Sequence, residues 1–72
     1  MVNVNKLKGA IVERGMNISK LALSIGIDRA TLYRKLSENG DSILIKEADL
    51  IVRVLGLTVD EAVGIFFSQY VA

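Results

Sequence analysis

Apolar and polar positions alternate along the chain in a way that marks where helices begin. Met16 precedes Asn17 and Leu21 follows four positions after that cap; Ile27, Asp28 and Leu32 repeat the spacing, as do Leu57, Thr58 and Ala62. This is the hydrophobic staple, in which apolar residues on either side of a capping side chain fix the angle of chain entry. Val2, Asn3 and Leu7 give a fourth instance, and Thr58 also has Glu61 three residues on, the reciprocal capping box. Gly15, Gly26 and Gly56 fall just past predicted helix ends, where a left-handed C-cap needs them. The segmentation predicts five helices over residues 4–14, 18–25, 29–37, 45–55 and 59–68, with a loop at 38–42. Ile43, Leu44 and Ile45 have no cap and read as a short extended lead-in. Gly9 and Gly64 lie inside predicted helices at ~1 kcal/mol each relative to alanine, and the pattern gives no reason for Gly9.

A 3.6-residue period assigns the core. Leu7, Ile11 and Val12 face inward from the first helix, Leu21, Ala22 and Ile25 from the second, and Leu32 and Leu36 from the third. Ile51, Val54 and Leu55 do so from the fourth, and Val59, Ala62, Val63 and Phe66 from the fifth. The fifth helix has almost no polar side. With Phe66 inward, Ile65, Phe67 and Tyr70 are expected to point outward. Either the helix wedges back into its own domain, or these residues form an apolar protein contact, with a second copy or with a different chain.

Composition narrows the class. At 72 residues the chain has room for one small domain spanning 1–72, and the absence of proline with 6% aromatics favours an all-α fold. No cysteine means no disulfide and no thiolate metal site; no histidine removes the commonest metal ligand and general base. Ser19, Ser24, Ser37 and Ser68 therefore lack a histidine partner, and the carboxylates sit at helix starts where capping explains them. An enzyme, a metal, a cofactor and a small-molecule substrate are all unexpected. Apolar runs such as Ile65, Phe66 and Phe67 fall far short of the ~20 residues that span a bilayer, and no secretory signal is visible. The expectation is a cytoplasmic protein with no membrane partner.

Net charge is only +1, but its distribution is uneven. Residues 1–40 carry seven cations against three anions, and residues 41–72 carry two against five. A basic first half suits phosphate. Lys6, Lys8 and Arg14 read as plain surface charges. No aromatic platform is interleaved with the cations, so single-stranded RNA is disfavoured.

The second and third helices are short and joined by Ile25, Gly26, Ile27 and Asp28: a glycine for the bend, an apolar plug, then a polar cap. That is the layout of a helix-turn-helix, whose second helix enters the DNA major groove. The stretch Gly15-Met-Asn-Ile-Ser-Lys-Leu-Ala-Leu-Ser-Ile-Gly-Ile-Asp-Arg-Ala-Thr-Leu-Tyr-Arg-Lys-Leu36 resembles the phage repressor/Cro helix-turn-helix family. The segment Gly56 to Thr58 extends the likeness to a five-helix, lambda-repressor-like layout. The resemblance implies double-stranded operator DNA as partner, with Asp28, Arg29, Ala30, Tyr33 and Arg34 at the reading positions. Arg29 and Arg34 suit guanine O6 and N7, Ala30 a thymine methyl, and Tyr33 a sugar edge or phosphate. Asp28 would cap the helix. Asn17 would cap the second helix toward a phosphate, and Lys20, Thr31 and Lys35 would contact phosphates. Many members of that family carry glutamine where this chain has Ile18, which cannot bridge a phosphate to the recognition helix. In size and in its ending the chain also resembles the modulator-of-repression proteins of temperate phages. The resemblance thus implies either a Cro-like homodimer in a phage lysis–lysogeny switch, in a bacterial host cell, or an antirepressor docking on a phage repressor protein.

Overall fold

A computed structural model describes residues 1–71. Five α-helices follow one another: α1 (Val4–Glu13), α2 (Ile18–Ile25), α3 (Arg29–Ser37), α4 (Ile45–Leu55) and α5 (Val59–Phe66), then a 3-10 turn at Ser68–Tyr70. The fold is all-α, with no strand among the described residues. Four side chains cap as the sequence suggests. Asn3, Asn17 and Thr58 accept from the backbone N–H of Lys6, Lys20 and Glu61, and Asp28 accepts from that of Ala30. Gly26 and Gly56 end α2 and α4 in left-handed conformations, φ 77° and 63°. Past each glycine an apolar residue folds back: the Ile27 and Leu57 amides donate to the Ala22 and Val52 carbonyls, both at 3.0 Å. Leu44 has no side-chain acceptor, and α4 is capped from inside instead, by the Glu47 carboxylate accepting the Leu44 N–H at 2.8 Å.

α2 packs against both α3 and α4, while α1 packs against α5. Leu7, Leu21, Leu32, Ile51 and Ile65 are fully buried where the helices meet. The first three residues thread past the ends of other elements. The Asn3 N–H donates to the Ile65 carbonyl at 2.7 Å, and Ser68 Oγ donates to the Met1 carbonyl at 2.6 Å. A Cβ on Gly40 would sit 2.8 Å from Val2 Cβ, so at φ 72° this turn requires glycine on both counts.

The inward faces of three helices differ from the periodic reading. α1 buries Leu7, Ala10 and Ile11, leaving Val12 exposed, and α4 buries Glu47, Ile51 and Leu55 with Val54 outside that stripe. The largest correction is in α5. Ile65, expected outside, is 1% exposed, whereas Val59, expected in the core, is 79% exposed and Val63 is at the surface. The cause is a polar and small-residue stripe at 61, 64 and 68, which faces α1 and the N-terminal segment and carries Ile65 inward with it. Glu61 meets Arg14, Gly64 makes room for the end of the Lys6 side chain, and Ser68 reaches Met1. These tethers, and not the widest apolar face, set the rotation of α5. No helix is long and apolar enough to cross a membrane among the described residues.

Gly9 is exposed inside α1, and a Cβ there would meet nothing within 4 Å. Gly9→Ala should therefore stabilise the protein by about 0.5–1 kcal/mol, since only the glycine's backbone entropy is removed. The check is the urea midpoint, and an unchanged or lowered midpoint contradicts this account of α1.

Candidate nucleic-acid interface

α2 and α3 form the helix-turn-helix pair. Asn17 is extended (φ −141°, ψ 175°) and its Oδ1 accepts the Lys20 N–H at 2.8 Å; Asn17 and Lys20 are both exposed. The left-handed Gly26 turns the chain, half-buried Ile27 plugs the corner, and Asp28 Oδ2 accepts the Ala30 N–H at 3.0 Å to start α3. Because that carboxylate is spent on the cap, Asp28 works on the helix start.

α3 divides cleanly. Leu32, Lys35 and Leu36 are buried, Thr31 is half-buried, and Arg29, Ala30, Tyr33 and Arg34 are exposed side by side. Arg34 Nη1 lies 2.8 Å from Glu38 Oε1 one turn on, both groups open to solvent. Arg29 makes no ion pair among the described residues. A groove beside this face runs between α1 and the starts of α2 and α3, edged by Lys8, Ile18, Arg29 and Tyr33. Ile18 is half-buried against the core, so its apolar side chain belongs to the packing.

Lys35 is corrected. Expected as a phosphate contact, it is 8% exposed, and its ammonium donates to Glu47 Oε1 at 2.7 Å. Its position in line with Leu32 and Leu36 turns it inward, and the stem reaches α4. Arg14 also leaves the surface set. Its Nε donates to the Leu55 carbonyl at 3.0 Å and its Nη2 to both Glu61 oxygens at 2.9 Å, joining α1 to the ends of α4 and α5. Two first-half cations are thus neutralised by second-half anions.

These contacts set the acid behaviour. Burial pushes the Glu47 carboxyl up, but the Lys35 hydrogen bond, the Leu44 amide and the Lys35 and Lys46 charges outweigh it, holding it below 4.5. The Thr58 amide, followed by Arg14, likewise holds Glu61 below 4.5.

A second surface lies on the opposite helices. An open, almost wholly apolar groove of about 330 Å³ runs between α4 and α5, edged by Ile45, Val52, Val59, Val63, Phe66 and Phe67. Phe67 and Tyr70, expected outside, are 54% and 78% exposed. Val59 and Val63 were missed as surface residues because local periodicity cannot see the tethers that rotate α5. No cluster of acidic side chains suited to a metal occurs among the described residues.

A model of the Cro/C1-type HTH DNA-binding domain matches residues 6–67, all but five residues at each end. No curated protein and no solved structure gives a significant match.

Removing one partner of the buried pair strands the other. Lys35→Ala is expected to cost about 3–5 kcal/mol, a large share of the stability of a small domain. Because the folded carboxyl is depressed, the Glu47 contribution is complete above the ordinary value of 4.5 and is lost as pH falls through the lower folded-state value. Urea midpoints from pH 7 to 3 should fall more steeply for the wild type than for Glu47→Gln. Parallel curves would mean that Glu47 does not titrate as argued.

Proposed function

The chain belongs to the family of Cro/C1-type HTH DNA-binding domains, and on that premise we propose that it is a sequence-specific regulator of a phage lysis–lysogeny switch, Cro-like in action. It reads the major groove of a double-stranded operator with α3. The observation that carries the reading is the shared exposed face of Arg29, Ala30, Tyr33 and Arg34, on a helix whose other side is anchored in the core. Arg29 and Arg34 each donate a bidentate pair to guanine, Ala30 packs on a thymine methyl, and Tyr33 meets the sugar-phosphate edge. Asn17, Lys20 and Thr31 position the domain on phosphates. The exposed Arg34–Glu38 pair does not stand in the way. An i,i+4 pair of this kind is worth ~0.3–0.5 kcal/mol, against ~1–3 kcal/mol for a bidentate guanine contact. As a homodimer the protein would set two recognition helices ~34 Å apart on a near-palindromic site.

A second reading is favoured by the apolar groove between α4 and α5, edged by Ile45, Val59, Val63 and Phe67. There the protein is an antirepressor that docks on a larger phage repressor and alters its DNA binding, with Phe67 and Tyr70 in the contact. Light scattering after size exclusion, alone and mixed with the repressor of the same phage, separates the two. A homodimer that ignores the repressor supports the first; a monomer that binds the repressor and no DNA supports the second.

Duplexes selected from a random-sequence pool by the wild type provide the test of the DNA reading. Arg29→Ala and Arg34→Ala should each lose about tenfold or more in preference for the selected duplex over mixed-sequence DNA, whereas Lys20→Ala should weaken all DNA alike and lower the salt slope. Failure of the wild type to enrich any sequence overturns the reading.

A further inference from the structure

Lys35 occupies a singular place on the recognition helix. At about 100° per residue, Arg29, Ala30, Tyr33 and Arg34 all fall roughly 100–160° away from it around the helix axis. The centre of the exposed face is therefore diametrically opposite the Lys35 side chain. That side chain ends in a 2.7 Å contact with Glu47 Oε1, both groups nearly closed off from solvent. The same carboxylate accepts the Leu44 N–H, and the Lys35 carbonyl accepts the Gly40 N–H at 2.8 Å. The two residues together thus tie the helix and the turn that leaves it to the start of α4. Leu32 and Leu36 flank Lys35 in the core; the force that buries them is non-directional, so it selects the inward face without naming one partner atom. A short charge-assisted hydrogen bond has a defined length, direction and partner atom.

We propose that Lys35 and Glu47 are positioning residues for DNA recognition, a buried pin that sets the roll of α3 and so aims Arg29, Tyr33 and Arg34 together. The inference deepens the DNA-reading proposal and rests on it for its consequence, but the pin itself exists without DNA. An apolar pair of similar size would fill the space equally well and is often no less stable than a buried ion pair. What it lacks is direction.

The test replaces the charges while keeping the cap: in Lys35→Met/Glu47→Gln the glutamine carbonyl still accepts the Leu44 N–H. If that variant does not fold, Lys35→Leu/Glu47→Gln serves the same purpose. Residual dipolar couplings, measured well below the unfolding midpoint, give the orientation of α3 relative to α2 and α4. Binding is measured to the duplex selected by the wild type and to mixed-sequence competitor, each across a salt series. The pin predicts couplings that no longer fit the wild-type orientation of α3. It also predicts about a tenfold loss of preference for the selected duplex, the scale of one lost base contact, with competitor affinity and salt slope unchanged. A merely structural role would lower both affinities together. Wild-type couplings, or a retained preference, overturn the proposal. If the wild type selects no duplex, the DNA reading falls, and the couplings still decide whether the pair sets the roll of α3.

Discussion

The contact between the Lys35 ammonium and the Glu47 carboxylate joins the helix-turn-helix to the rest of the molecule at a point where apolar packing alone would leave freedom. α3 packs chiefly on α2, and the ion pair carries its far end across to α4. Two charges held 2.7 Å apart and shielded from water are costly to bury and costlier to separate. Their geometry is therefore kept, and the exposed side of α3 is kept with it. A second tie, from Arg14 to Glu61 and the Leu55 carbonyl, performs the same service between α1 and the later helices. The unequal charge of the two halves is in part an internal arrangement: cations from the first half meet anions from the second. What remains for a partner is smaller than the sequence count, with Arg29 and Lys20 foremost beside the helix-turn-helix.

Local signals and long-range contacts explain what could be read in advance. Helix boundaries were legible almost to the residue, because Asn17, Asp28, Thr58 and the glycines after α2 and α4 act within one turn of where they stand. The lead-in before α4 was legible in part, from the lack of a cap at Ile43 to Ile45: Leu44 is extended, but Ile45 already starts the helix. Its actual cap, Glu47, acts from three residues inside the helix. The rotation of α5 was not legible. Apolar periodicity pointed Val59 and Val63 inward, but Glu61 and Ser68 bond to Arg14 and Met1 and Gly64 lies against Lys6, contacts made across most of the chain. Those contacts turn Ile65 into the core and Val59 out of it. Lys35 failed for the same reason. Its register with Leu32 and Leu36 turns it inward, but beside Arg34 it reads as one more cation until its partner twelve residues on is seen.

The outcome is a molecule with two unlike surfaces. The exposed face of α3 is largely polar; the groove between α4 and α5 is apolar. Membership of the Cro/C1-type family speaks to the first surface. The second bears on whether the protein works as a pair of identical chains or on another regulator.

The most direct measurement follows amide chemical shifts of the labelled protein while a duplex selected by the wild type is added. If α3 reads DNA, the largest saturable changes fall at residues 17–20 and 28–34, and the α4–α5 groove moves little. Changes concentrated at Ile45, Val59, Val63 and Phe67, or changes that never saturate, would contradict the account.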